Sequence, residues 1–392
     1  SGQLATGAEL PGQRVAGTGL LGRLARYAQR NPGPVAGTVS AALLLLALPF
    51  LAGANLADSD ARALPRSVEA RQTHDVLLRD FAAGRAEPVT VVVEADPASV
   101  EVRDLMNRLN TLPQVIRMQP RPDVPGHALV IDLTPHGATG GAESRELVRA
   151  VRALDQPLPL LVGGPAAELV DYQDAIAARL PLAVLVLLLV TVALCHVLTG
   201  SLVIGVKALL MNALTVLATL GVLVVVFQWG VGAAMLGIEP WGALDLTTPV
   251  LLFVFVFGLS MDYEVFLLAR IREELARTRG ALRQANDRAV LLGITRTGPV
   301  VTAAALCIGI VFLGFLFGEL TAVQEIGLGM AVAVLLDVTV VRGLLLPAVM
   351  SLLGEWNWWP VRKGPFLSHL VEEGPLVNTP TGRRTAKRPQ LR

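Results

Sequence analysis

The stretch Thr248–Glu274, TPVLLFVFVFGLSMDYEVFLLARIREE, limits what this chain can fold into more than any other. It opens as a membrane-spanning helix. It then sets Asp262, Tyr263 and Glu264 inside an apolar run that continues through Val265, Phe266, Leu267 and Leu268 to Arg270 and Arg272. Asp262 lies about fourteen residues past Thr248, or ~21 Å along a helix at 1.5 Å per residue. Allowing for tilt, that is the inner half of a hydrocarbon core roughly 30 Å thick. A carboxylate at such depth costs about 3 kcal/mol even on the lenient insertion scale, and residues of this kind mark functional sites. The Asp side chain is too short to reach water from there, so it must face protein or a hydrated cavity. Gly258 and Ser260 just before it are small and allow a neighbouring helix to approach closely. The plainer alternative is a structural carboxylate bonded to a neighbouring helix.

The other polar residues in apolar runs sort by position. Glu264 is two places from Asp262, about 200° around the helix, so the two carboxylates do not share one site. Asp337 sits about eleven residues into the last apolar run, with Arg342 just over one turn beyond. An ion pair of Asp337 with Arg270 or Arg342 would tie the last helix to the Asp262 helix; a direct protonation role is the alternative. Lys207, near the start of its run, is expected to snorkel. Asn212 and Thr302 are expected to form helix-packing hydrogen bonds. His74, His127, His136 and His196 show no metal spacing and read as surface residues. Cys195 and Cys307 both fall in apolar segments, so neither a structural disulfide nor a thiolate zinc site is expected. The paired Gly163 and Gly164 lack the spacing of a phosphate loop. We therefore expect no metal, no cofactor, no nucleotide site and no enzyme activity.

Composition enters here: 53% of the 392 residues are hydrophobic, with mean hydropathy +0.57. That exceeds a soluble domain and fits a membrane protein with a soluble insert. A net charge of +1 gives no bias toward nucleic acid. Residues 1–34 read as a polar linker, in which Leu20, Leu21, Leu24 and Tyr27 could form a short interfacial helix. Residues 35–54 are a first span, kinked at Pro49. Residues 55–179 are the insert. Within it 88–95, 114–119, 127–135 and 159–164 read as strands, and 96–110 and 143–154 as helices, with Asp96 or Ser99 capping the first. An amphipathic helix around 67–83 precedes them. The order β-α-β-β-α-β is the split βαβ, ferredoxin-like unit. Residues 180–350 hold five more apolar segments, at 180–198, 202–227, 248–269, 298–317 and 326–350. Arg is concentrated in the N-terminal segment, in the 270–297 connection (Arg279 and Arg296 included) and in the tail. The loops 228–247 and 318–325 carry only Glu239, Asp245, Glu319 and Glu325. The positive-inside rule then puts both termini in the cytoplasm and the insert outside. Trp229, Trp241 and Trp356–Trp358–Trp359 fall where interfacial aromatics belong. Residues 351–392 read as a cytoplasmic tail, disordered by composition.

GLSMDYEVFLLARIREE resembles the signature of the MMPL transporters, within the resistance-nodulation-division (RND) superfamily. The one departure is Ala269, where the family would carry Ser. KALLMNALTVLATLGVLVVVFQWG, TGPVVTAAAL, IGLGMAVAVLLDVTVVR, GEWNWWP and the VGGPAAELVDYQDAIAARLP lead-in are similar to the family as well, so the resemblance covers about residues 35–360. It implies a membrane α-helical fold: a six-helix RND half-bundle with the α+β domain inserted as a porter domain. It implies a proton-driven exporter of lipids, glycolipid precursors or hydrophobic drugs, multi-pass in the cell membrane. Asp262 and Tyr263 would be the proton relay, supported by Ser260, Glu264, Arg270, Asp337 and Arg342. Expected partners are protons, a lipid or hydrophobic substrate, the membrane, and a missing N-terminal half or second protomer. The alternatives are a non-transporting, sensor-like or protein-export RND relative, and an envelope-assembly binding module anchored by its helices.

Overall fold

The structure is a computed structural model that describes residues 19–57, 59, 61–80, 87–121, 128–136, 139–278 and 281–360. The polar segment before Gly19, the tail after Pro360, and His127 and Arg279 of the sequence argument lie outside these residues. Among the described residues six helices are long and apolar enough to cross a membrane: Pro32–Gly53, Pro165–Thr199, Leu202–Gln228, Thr248–Arg277, Leu282–Phe317 and Thr321–Trp358.

A short helix, a spanning helix and a two-residue strand come first. Helix α1 (Leu20–Arg30) turns Leu21, Ala25 and Ala28 inward. It packs on the later helices rather than lying apart as a linker. Helix α2 (Pro32–Gly53) starts with Pro at its first turn, where a missing N–H costs nothing. The two-residue strand β1 (Leu56–Ala57) follows, then α3 (Glu69–Asp80).

Next come β2 (Val89–Glu94), α4 (Val100–Asn110), β3 (Val115–Arg121), β4 (Ala128–Pro135), α5 (Ala142–Arg152) and β5 (Leu160–Gly163). The four longer strands form one sheet in the order β3-β4-β2-β5, with every pair antiparallel. Alternation places the valines of β2 on one face: Val89, Val91 and Val93 are fully buried. Against them pack Leu105 and Leu109 of α4 and Leu147 and Val151 of α5. A buried Val or Leu contributes roughly 1.5–3 kcal/mol, so this face holds the layer together. Of the two capping candidates, Ser99 caps α4 by accepting the Val102 N–H at 3.2 Å.

Helix α6 (Pro165–Thr199) joins the domain to the membrane without a break. Its first turns supply Ala166, Ala167 and Val170 to the sheet domain's core. At 1.5 Å per residue its 35 residues reach ~52 Å, enough to span the bilayer and still enter the domain. The sequence boundary at 179/180 thus falls inside one helix. Gly164 precedes it at φ +95°, and a Cβ there would lie 2.8 Å from the Pro88 carbonyl oxygen. The paired glycines serve this turn.

The remaining helices are α7 (Leu202–Leu223), α8 (Thr248–Arg277), α9 (Leu282–Gly314), α10 (Thr321–Leu335) and α11 (Leu346–Leu353), with strand β6 (Leu244–Asp245) before α8. Two π-helical segments extend them: Val224–Gln228 after α7, and Leu336–Leu345 joining α10 to α11. The α7 span and the last span are the inner helices, with 61% of their apolar windows buried, against 17% for α6 and 11% for α9. The expected long 270–297 loop is helical at both ends, because α8 and α9 continue past the apolar stretches that announce them. The last span also runs past 350. A 3-10 turn at Gly354–Trp358 buries Asn357 and Trp358. Trp358 is therefore no interfacial anchor: its indole N–H donates to Asn286 Oδ1 at 3.1 Å.

Candidate functional site

Helix α8 presents two faces, and the helical period decides which residue falls on each. Ser260 and Glu264 are four apart and point the same way. Both are buried. Asp262, half a turn from each, is exposed on the opposite side of the helix. The described residues offer it neither a protein partner nor a hydrogen bond, so of the two settings expected for it, protein or a hydrated cavity, the first is not met among the described residues. Gly258 shares its face and has nothing within 4 Å of where a Cβ would lie. The close neighbour expected at Gly258 is thus absent among the described residues. With Val254 and Phe266 exposed above and below, α8 shows a bare stripe at four-residue spacing.

The inner face carries a buried polar network built from three helices. Arg342 Nε donates to Asp337 Oδ2 at 2.9 Å, and both side chains are nearly fully buried. They stand five residues apart in the π-helical segment. An α-helix would turn such residues about 140° away from each other, whereas the i→i+5 repeat of a π-helix brings them together. Arg342 Nη2 donates to the Ser260 carbonyl oxygen at 2.5 Å. Ser260 Oγ lies 3.0 Å from Asp337 Oδ1 and 2.6 Å from Asn212 Oδ1 of α7. A hydroxyl has one proton, so the trio is satisfied with the Asn212 amide turned to donate to Ser260, which donates to Asp337. The ring of Tyr263 lies beneath the Arg342 guanidinium, with its centroid 5.4 Å from the guanidinium carbon. Tyr263 thus sits between the outward Asp262 and the inward network.

Two small cavities flank Asp337. One is lined by Ser260, Tyr263 and Asp337 with apolar neighbours. The other is lined by Asn212, Glu264, Asp337 and Arg342. Each has a volume of about 10 Å³, near the lower limit for a single water.

The two ends of α8 are pinned. At its start Glu325 of α10 is fully buried and accepts from Thr248 Oγ1 at 2.7 Å, the Asp245 N–H at 3.0 Å and Trp241 Nε1 at 3.2 Å. Asp245 in turn accepts from Ser59 and from the Thr247 N–H at 2.8 Å. Strands β1 and β6 pair in parallel beside them. Thr321 donates to the Ala63 carbonyl at 2.8 Å. The segment leading into the sheet domain is therefore tied to the starts of α8 and α10. At the other end Glu274 is buried and paired with Arg296 of α9.

Of the residues proposed from sequence, Ser260, Tyr263, Glu264, Asp337 and Arg342 come together. Arg270 does not: it pairs with Glu273 at 2.7 Å, so of the two partners offered for Asp337, Arg342 is the one. Lys207 does not snorkel. It is only 6% exposed, and its Nζ has no hydrogen-bond partner among the described residues. Thr302 bonds back to its own helix at the Gly298 carbonyl. Sequence reasoning missed Glu325, reading it as a loop acid. The available signal was the apolar run directly after it, which puts Glu325 inside the opening of a span that starts at Thr321. Among the described residues no group of His, Cys, Asp or Glu could hold a metal ion.

Residues 67–370 match the MMPL family. A Streptomyces coelicolor membrane protein is 40% identical over 363 residues, which is 91% of this chain and 49% of that protein. The mycolic acid-containing lipids exporter MmpL11 of Mycolicibacterium smegmatis is 33% identical, covering 83% of this chain and 35% of its own length. The trehalose monomycolate exporter MmpL3 of Mycobacterium tuberculosis is 32% identical, with 88% and 37% covered. The chain spans between about a third and a half of the length of these relatives.

Proposed function

Since the chain belongs to the MMPL family, and is a multi-pass membrane protein with six helices able to span, we propose that it is one half of a proton-driven exporter of lipids, glycolipid precursors or other hydrophobic molecules. The lipid-exporting relatives support the substrate class. One observation carries the proton coupling: α8 holds Asp262 on a bare outward stripe and backs it, through Tyr263, with the buried Arg342–Asp337–Ser260 network.

In this reading the stripe of Gly258, Asp262 and Phe266 packs against the equivalent helix of a second half. Asp262 then meets a tyrosine of that half, and Tyr263 its carboxylate. Coupling sites of repeat-built transporters lie at such interfaces. Asp262 takes a proton from the outer side while a hydrated path reaches it. Neutralising a buried charge removes its desolvation cost and lets α8 repack. The Asp337–Arg342 pair holds a fixed counter-charge behind the relay. The Thr248–Glu325–Asp245 cluster passes the shift of α8 to the segment that enters the sheet domain. That domain, with strand order β3-β4-β2-β5 and two covering helices, is the ferredoxin-like porter unit, and it lies on the outer face with both termini of the chain in the cytoplasm. Release of the proton inward resets the cycle.

The test is Asp262→Asn in the full-length protein, which keeps size and hydrogen bonding but removes titration. Normal insertion with transport under an imposed pH gradient lost is expected, and a weaker loss for Tyr263→Phe. Transport by Asp262→Asn at the wild-type rate would overturn the reading.

A further inference from the structure

The register of α8 against α7 brings a second carboxylate and a lysine to one level in the membrane. Ser260 of α8 and Asn212 of α7 meet at 2.6 Å. From that contact Glu264 lies four residues toward the proposed cytoplasmic end of α8, ~6 Å, and Lys207 five residues toward the cytoplasmic start of α7, ~7.5 Å. Both are buried. The ionisable groups around Glu264 are Lys207 of α7, Cys195 of α6, and Asp337 and Arg342 of the π-helical segment. Lys207 Nζ, Arg342 Nη1 and one end of the Asn212 amide have no hydrogen-bond partner among the described residues. Asn212, Arg342 and Glu264 line the cavity on one side of Asp337, and Tyr263 lines the cavity on the other.

Asp337 and Glu264 bring two negative charges, and Arg342 and Lys207 two positive ones, so this buried set is neutral when all four are ionised. An interior tolerates an unmatched charge poorly. Lys207 is therefore the counter-charge that Glu264 needs once Arg342 is taken by Asp337. A further proton on Glu264 leaves the set with an excess positive charge, so it is held briefly and passed on. One water in each cavity, held by the unpartnered polar groups, would link Tyr263 past Asp337 to Glu264. We propose that Glu264 is the inward station of the relay: its carboxylate receives the proton that leaves Asp262 and releases it toward the cytoplasm, with Lys207 positioned to keep it ionised between turnovers. Only O–H bonds change: Asp262 loses its acid proton, Glu264 gains it, and water at the cytoplasmic mouth carries it off. This assignment rests on the transport reading above.

The experiment uses the full-length protein in liposomes made from the source cells' own lipid extract, loaded with the pH dye pyranine. The outside is acidified and proton entry is read from the dye. Glu264→Gln should cut entry roughly a hundredfold, the lower end for a positioned proton-transfer group, and Glu264→Asp should restore a measurable part. Lys207→Met should slow entry at neutral inner pH and recover as the inner pH is raised, because a carboxylate without its cation yields the proton only to a more alkaline side. Lys207→Arg should stay closer to the unaltered protein, and Glu264→Gln should show no such recovery. Asp262→Asn controls for the transport reading. If it blocks entry while Glu264→Gln conducts at the wild-type rate, the transport reading stands and the inward station is overturned. If Asp262→Asn conducts, the transport reading falls and the station with it. Should Glu264→Gln fail to fold, Lys207→Met decides: entry unchanged at every inner pH, or a loss that no inner pH relieves, overturns the proposal.

Discussion

Asp262 and Asp337 are both carboxylates at membrane depth, yet their surroundings assign them different work. Asp337 is enclosed, with Arg342 at 2.9 Å and Ser260 at 3.0 Å. Removing one member of such a pair strands the other charge. Asp337→Ala and Arg342→Ala should each lower stability by about 3–5 kcal/mol. The double change Asp337→Leu with Arg342→Met should recover most of that loss, because an apolar pair of similar volume needs no compensation. Thermal unfolding in detergent with all three variants checks it; a double variant no better than the singles would contradict a mutually dependent pair. Asp262→Asn offers the contrast. Asp262 has no described partner, so its replacement should change the stability of this half by no more than about 0.5 kcal/mol while the proposed transport fails.

Helix packing shows the same division between faces. A Cβ on Gly221 of α7 would lie 1.8 Å from the Leu46 carbonyl oxygen of α2, with backbone on both sides and no rotamer to yield. Gly221→Ala should therefore force α2 and α7 apart at a cost of about 1–3 kcal/mol, read as a lowered Tm. Gly258→Ala meets nothing within 4 Å and should leave Tm unchanged or raise it by the stabilisation, roughly 0.5–1 kcal/mol, that Ala gives a helix interior over Gly. Much at this scale was legible in sequence. The alternation of VTVVVE announces β2 because one sheet face is buried, and the 200° offset of Asp262 from Glu264 follows from the helical period alone. Other elements left no local trace. The π-helical segment at Leu336–Leu345 has the composition of any apolar helix, so the facing of Asp337 and Arg342 was offered only as one of two pairings. The extensions of α8 to Arg277 and of α9 back to Leu282 are too polar for a hydropathy window. Lys207 misled in the other direction, since snorkelling depends on which neighbours cover the stem, and α2 and α11 come from far away in sequence.

The whole chain must reconcile a charged residue in lipid with a stable fold. The Arg-rich connection between α8 and α9 and the acid-bearing loops at the opposite end predict orientation first. Cysteines at Ala98 and Ala276, both exposed, should react with an impermeant reagent from opposite sides of the membrane, and labelling of both from outside would reverse the proposed topology. Orientation does not solve the problem of Asp262. Its stripe, with Val254, Gly258 and Phe266, is bare, and a lipid-facing carboxylate near the bilayer centre costs about 3 kcal/mol or more. A second half would cover that stripe, and the relatives are two to three times as long as the part this chain matches. A symmetric pair of these chains could cover it too, by supplying the same helix twice. Residues 1–392 alone, reconstituted in liposomes with an imposed pH gradient, should therefore move no substrate as monomers, whereas the full-length protein should. Gly258→Leu sharpens the test, because it leaves the core of this half untouched and fills the one small position on the stripe. It should keep the Tm of residues 1–392, yet abolish transport by the full-length protein and reduce crosslinking across the stripe. Substrate movement by an uncrosslinked monomer of residues 1–392 would show that Asp262 needs no partner helix.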